Sequence, residues 1–301
     1  MNKAHHHLAR LSETYRSHST RSARVGIERL PTLRDGVVDH FRRECFKPEL
    51  PTTFPRGWFS QLPAVNKWFT KSSSHERSNR LDPDYWNQYG DVQVPLELTR
   101  PGPLDYKGEH SDTFSRFQAP LSDFLEWSVS DAHGATPERL YLAQATTSDL
   151  PQSLRDDIPT PEIVLQAGRG DIYDTNIWIG HASSYTPLHR DPNPNLFVHL
   201  AGKKVVRLFE PDVGAGIFRS VQMQLGRRGS DIFRGDEMMQ GPEKRLLEEA
   251  VWKNDHLPGY EADLEGGDGL FIPKGWWHSI KGAGRGMTGS VSSSLRTFEQ
   301  P

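Results

Sequence analysis

The chain has 301 residues, a formal net charge of -3 and a mean hydropathy of -0.66, enough length for one large domain or two small ones. The near-neutral balance lacks the basic excess of a general nucleic-acid binder, and no apolar run reaches the roughly 18 residues that a membrane-spanning helix needs. Cys45 is the one cysteine, so neither an intramolecular disulfide nor a cysteine-based zinc site can form. Residues 1–25, MNKAHHHLARLSETYRSHSTRSARV, combine several Arg and Ser with a single acidic residue. That composition is shared by mitochondrial transit peptides and by polar helices with a loose lead-in. We adopt the second reading and treat 1–30 as an extension to a domain spanning 31–301. The expected location is intracellular, cytoplasm or nucleus, with the mitochondrion as the alternative.

Within 35–46, Val37, Val38, Phe41 and Cys45 have helical spacing. Residues 47–55 are proline-rich and predict extended chain, and 55–69 predict a turn followed by a short helix. The polar stretch 70–115 predicts long loops with one strand at 92–98. SDFLEWSVS (122–130) predicts a helix and ERLYLAQA (138–145) a strand. After residue 170, short β runs bounded by Gly, Pro and Asn recur at 176–180, 196–200, 204–211, 269–273 and around 287–296. An insertion of about 212–264 interrupts them, with a helical patch at 245–253. Many short strands, with 22 Pro and 26 Gly, predict a mainly β fold with flanking helices and a β core at about 138–301.

His189 and Asp191 form an H-x-D pair within TPLHRDPNPNLFVHLAGKK (186–204). On an extended strand, residues i and i+2 share a face, so an imidazole nitrogen and a carboxylate oxygen can grip one metal ion. A third ligand is required, and His278 in GDGLFIPKGWWHSI is the candidate. Two histidines and one carboxylate leave other metal positions open, as in non-haem Fe(II) sites that activate O2. The motif alone is weak. His110, Ser111 and Asp112 form a second H-x-D in the polar YKGEHSDTF, with no apolar strand around it, and are expected in solvent. Apolar runs on both sides distinguish 189–191. Lys204 shares a strand face with Val206 and Leu208, where a lysine is costly unless it is paired or snorkels from the strand end. The paired reading needs an anion, and no acidic residue is an obvious partner; a dicarboxylate cosubstrate would serve, with Tyr141 and Thr186 able to add hydroxyl hydrogen bonds to it. Strict alternation puts Thr186 on the face opposite His189 unless Pro187 disturbs the strand.

Together the segments ERLYLAQ, TNIWIGHASSYTPLHRDPNPNLFVHLAGKKVVRLFEP, GDGLFIPKGWWHSI and GMTGSVSSSLR resemble the JmjC (cupin-8) family of Fe(II)- and 2-oxoglutarate-dependent oxygenases over at least 138–296. They are most similar to the branch that contains the hypoxia-inducible-factor asparagine hydroxylase and other small JmjC protein hydroxylases. The resemblance implies a double-stranded β-helix, or jelly roll, as the core. It implies Fe(II) held by His189, Asp191 and His278, with 2-oxoglutarate and O2 as cosubstrates. Lys204 then meets the distal carboxylate of 2-oxoglutarate, with Tyr141 and Thr186 as hydroxyl partners. Asn195 matches an asparagine near the cosubstrate, and Ser292 a polar position on the last strand. The implied activity is hydroxylation of a side chain on a protein or peptide partner, releasing succinate and CO2. Ser294 stands where the asparagine hydroxylase has a bulky aromatic, so that enzyme's substrate preference does not carry over. N-methyl-lysine demethylation is the alternative activity. A non-catalytic cupin that binds a ligand or partner is the alternative class.

Overall fold

In the computed structural model, which describes residues 26–71, 79–102, 112–130, 138–168, 170, 172–227 and 236–295, the β runs pair into two principal sheets. Their main strands are β1 (Gln93–Arg100), β2 (Thr113–Pro120), β3 (Arg139–Thr146), β4 (Ile172–His181), β5 (Tyr185–Arg190), β6 (Asn195–Ala201), β7 (Lys203–Phe209), β8 (Gly259–Glu265), β9 (Gly269–Ile272), β10 (Trp277–Ala283) and β11 (Met287–Leu295). The larger sheet runs Thr52–Thr53, β9, β6, β11, β4, β3, β1, β2. The smaller runs Ile27–Arg29, β8, β7, β10, β5. From β4 onward the chain switches sheet at each step except β7 to β8, and the pairings among these eight strands are antiparallel. This is the double-stranded β-helix, with β9-β6-β11-β4 facing β8-β7-β10-β5 across a shared interior.

Alternation along each strand decides which layer its side chains join. Val206 and Leu208 of β7 pack inside the barrel with Phe197, Leu270 and Ile272. Phe209, one step on, turns outward to the helices α2 (Pro211–Gln224) and α3 (Gly241–Trp252), where Ile217, Phe218, Leu247 and Val251 cover the smaller sheet. The outer face of the larger sheet, including Ile177, Ile179, Leu142 and Leu96, is covered by the N-terminal segment and by α1 (Leu121–Ser130). The polar cavity described below occupies the part of the barrel interior that these apolar residues leave free.

Several expectations are corrected. The stretch 70–115 is not loop with one strand: Phe69–Lys71 pairs with Asn79–Leu81, Pro83–Trp86 is helical, and β2 begins at Thr113. β2 is the edge strand of the larger sheet and is buried only at Ala119, so it carries no apolar alternation to signal it. The helix read over 35–46 is α-helical at Val38–Phe41 and continues as a π-helical turn at Arg42–Phe46, and residues 47–49 turn rather than extend. The insertion expected at 212–264 is shorter, because β8 belongs to the smaller sheet. Its first half is α2, a helix that contains Gly214 and Gly216. Both glycines are buried. A Cβ at Gly214 would overlap the Trp277 side chain, so the glycine lets α2 lie directly on the strand that carries His278. Residues 1–25 and His110 lie outside the described residues, but Asp112 is not simply solvated: its carboxylate meets Lys244 Nζ at 3.7 Å. Among the described residues no helix is long and apolar enough to cross a membrane.

Asp157 ties the N-terminal segment to the chain entering β4. Its buried carboxylate accepts from Lys67 Nζ at 2.7 Å, from the Trp68 indole at 2.9 Å and from the Tyr85 phenol. Asp157→Ala strands the fully buried Trp68 N–H, which costs on the order of 1–3 kcal/mol for that group alone. The expected outcome is a lower urea midpoint with an unchanged m-value, measured by tryptophan fluorescence. An unchanged midpoint would show that this carboxylate does not anchor the segment.

Candidate metal centre and cavity

His189 lies on β5 and His278 at the start of β10, and the two are direct partners across the sheet. Their ring centroids are 4.2 Å apart. Asp191 follows β5 and turns back toward them, with Oδ1 at 3.9 Å from His189 Nε2 and Oδ2 at 3.8 Å from His278 Nε2. One ligand atom from each residue lies within 4.8 Å of the others.

Both imidazoles are oriented for ligation. His189 Nδ1–H donates to the Pro187 carbonyl at 2.8 Å, and His278 Nδ1–H donates to the Trp276 carbonyl at 3.3 Å. A carbonyl can only accept, so Nδ1 carries a proton in both rings and Nε2 is the nitrogen turned toward Asp191. Burial and the neighbouring His189 push the His278 pKa down to about 4, against the pull of Asp191. The ring is therefore neutral near pH 7, as a metal ligand must be. Asn195 Nδ2–H donates to Asp191 Oδ2 at 3.4 Å, while its buried Oδ1 has no partner. These donor types, tautomers and spacings fit a divalent transition ion.

The triad opens onto a cavity of about 410 Å³. Lys204 of β7 reaches into it and is 3% exposed. Its ammonium donates to Ser290 Oγ at 3.0 Å and Tyr141 Oη at 3.3 Å, and lies over the Phe197 and Tyr141 rings. Among the described residues it makes no ion pair with a carboxylate. Burial pushes its pKa down to about 7, because nothing negative offsets the lost hydration. Burial, with the carboxylate of Glu97 nearby, likewise raises the Tyr141 phenol above its usual range. Tyr141 can reach Lys204 because its ring lies on Gly180, where a Cβ would overlap it.

Thr186, Asn195 and Ser292 also line this cavity. The parity conflict for Thr186 is removed by a bulge. β10 pairs His278 with His189 and Ile280 with Thr186, so β5 contributes three steps to two on β10, around Pro187. Ser292 Oγ accepts from the Trp178 indole at 3.2 Å, which holds that ring against the wall. Ser290, which touches Lys204, is not among the residues expected from the sequence, where only its place two residues before Ser292 on the same strand face points to it.

Removing a carboxylate ligand should cost more than the roughly 10–100-fold lost with an outer-shell partner. Asp191→Ala is therefore expected to bind Mn(II), a spectroscopic stand-in for Fe(II), more than about 100-fold more weakly by electron paramagnetic resonance titration. Asp112→Ala should titrate like the parent protein. Equal affinity in Asp191→Ala and the parent would remove Asp191 from the centre.

Comparison with known proteins agrees with this geometry. The cupin-like domain family matches residues 40–293. The lysine-specific demethylase JMJ30 of Arabidopsis thaliana is 28% identical over 264 residues, 87% of this chain and 53% of the relative. Jumonji C domain-containing protein 5 of Drosophila melanogaster is 25% identical over 84% of this chain and 56% of its own. The human bifunctional peptidase and (3S)-lysyl hydroxylase JMJD7 is 23% identical over 80% of this chain and 76% of its own. This chain thus spans about half the length of the first two relatives. With a match over far more than half of its residues, and a jelly roll that presents a His-Asp-His triad, the chain belongs to the JmjC type of the cupin-like domain family.

Proposed function

We propose that this protein is an Fe(II)- and 2-oxoglutarate-dependent dioxygenase that hydroxylates a side chain of a protein or peptide. The observation that carries the reading is a buried lysine that makes no ion pair among the described residues, in the same cavity as two histidines and an aspartate. A structural lysine would be paired or exposed, whereas Lys204 is set to receive a carboxylate.

When bound, the iron and 2-oxoglutarate supply the oxidising power, with O2 consumed, succinate and CO2 released, and one oxygen atom placed in a substrate C–H bond. The protein's residues hold and orient the reactants. His189, Asp191 and His278, which line the cavity with their ligand atoms close together, would hold the iron. Lys204 forms a charge-assisted bond to the distal carboxylate, and Ser290 and Tyr141 keep its ammonium aimed. Thr186 offers a further hydroxyl on the cavity wall, and the unpartnered Oδ1 of Asn195 can accept a hydrogen bond from a bound donor. The apolar barrel interior at Phe197 and Ile272 keeps water from the reacting centre.

A second reading has support in the relatives' names. Proteins called lysine-specific demethylases match alongside a lysyl hydroxylase. Hydroxylation of an N-methyl group releases formaldehyde, so formaldehyde assayed beside succinate separates the two. A non-catalytic cupin would have little use for an intact triad facing Lys204, and succinate formation with Fe(II) and 2-oxoglutarate tests that reading directly.

Lys204 yields two quantitative expectations. Breaking a buried charge pair costs ~3–5 kcal/mol, which at ~1.4 kcal/mol per decade is roughly two to three and a half decades in affinity. Lys204→Ala should weaken 2-oxoglutarate binding by that much, followed by the charge-transfer absorption of the anaerobic Fe(II) complex. The second concerns pH. Without cosubstrate the Lys204 pKa is pushed down to about 7, and a bound carboxylate raises it. Binding above pH 7 therefore takes up a proton. Affinity should be level below pH 7 and fall as pH rises from 7 toward 9. Lys204→Arg, always charged, should bind more weakly but without this slope. A parent protein whose affinity is level from pH 6 to 9 would show that Lys204 is already charged before the cosubstrate arrives.

A further inference from the structure

Gln144 interrupts an otherwise regular strand. β3 pairs with β4 through Tyr141 with Gly180 and Leu142 with Ile179, then resumes at Ala145 with Ile177. Three steps on β3 thus match two on β4, which is a bulge with one extra residue. Gln144 has φ 54°, in the left-handed region that non-glycine residues avoid. One other described non-glycine residue, Glu49, has positive φ, and it closes a helical turn: its N–H donates to the Phe46 carbonyl at 3.3 Å, and that of Leu50 to Cys45 at 3.0 Å. No helix end accounts for Gln144.

The bulge changes the face on which Gln144 lies. Leu142 and Ala145 both enter the core on the outer face of the larger sheet, although they are three residues apart and strict alternation would oppose them. In an unbroken strand Gln144 would follow Leu142 into that core. Instead it is exposed and lines the cavity that holds the triad. Its carboxamide makes no hydrogen bond among the described residues. Strained backbone of this kind persists where a side chain must be aimed, and bulges beside sites serve that end.

We propose that Gln144 is a specificity-determining residue whose amide hydrogen-bonds the polar end of the peptide side chain that the triad oxidises. The inference rests on the dioxygenase reading given above. A carboxamide offers two donors and one acceptor, so it pairs with a side chain that ends in an N–H or C=O group. It disfavours an apolar one, which would leave the amide desolvated and unpaired.

The test uses the full chain with Fe(II) and 2-oxoglutarate. The probes are synthetic peptide sub-libraries, each with one fixed central residue in an otherwise random sequence, ranked by succinate release. Gln144→Met keeps the length and the backbone strain but cannot hydrogen-bond in the same way. Gln144→Gly removes both side chain and strain. The parent should rank sub-libraries with a polar, N–H- or C=O-bearing centre first. Gln144→Met should lower turnover of the best sub-library about ten-fold or more, the equivalent of one strong hydrogen bond, and flatten the ranking with the melting temperature unchanged. Gln144→Gly should flatten the ranking while melting roughly 2 °C higher. A purely structural role would move the melting temperature without reordering the sub-libraries. A parental ranking in Gln144→Met or Gln144→Gly overturns the inference, as does a parent that prefers apolar centres or is stimulated by no sub-library. If the parent neither binds nor turns over 2-oxoglutarate, the dioxygenase reading fails first and this inference falls with it.

Discussion

The antiparallel pairing of β5 with β10 is the constraint on which the site depends. It sets His278 opposite His189, although the two are far apart in the chain. Strand register is all-or-none in its effect: a slip of one residue exchanges the faces of every side chain. Here it would turn His278 outward and bring Trp277 into the barrel. The jelly roll prevents that slip by burying both faces of β10 at once, with Trp277 under α2 and His278 in the cavity. The bulge around Pro187 then adjusts β5 locally, so that Thr186 and His189 reach the same space without disturbing the histidine pair.

Charge is handled differently inside the cavity and outside it. Arg207, on the outer face of β7, is held by Glu261 at 2.7 Å and Asp255 at 2.9 Å and lies over the Trp252 ring. Lys204, three residues earlier on the inner face, has hydroxyl and ring partners alone among the described residues. The same strand therefore carries one cation that is ion-paired within the fold and one that makes no ion pair among the described residues.

The residues that converge on the cavity were legible in the sequence, whereas parts of the architecture around them were not. A His-x-Asp between apolar runs, a distant histidine after a Pro-Gly turn and a lysine on an apolar strand face each break a local rule, and such breaks mark sites. β2 broke none, because an exposed edge strand has no apolar stripe to show. α2 contains two glycines, and the reason for one of them, the contact of Gly214 with Trp277, exists only in three dimensions. The bulges at Pro187 and Gln144 defeated simple parity for different reasons. Proline gave a warning, whereas Gln144 adopts a glycine-like backbone without being glycine. Ser290 lies in a run of small hydroxyl residues, where the one that touches Lys204 cannot be picked out without the barrel closed.

The contact of Gly214 with Trp277 has a consequence for how this chain can vary over generations. Segments between core strands are usually where length and composition drift most freely, and α2 sits in such a segment. Its inner face, however, forms the wall behind the strand that carries His278. A heritable change from Gly214 to a larger residue would displace Trp277 and press on the neighbouring His278 from outside the barrel. Purifying selection at Gly214 should therefore resemble that on His189, Asp191 and His278, while the solvent-facing residues of the same helix remain free to diverge.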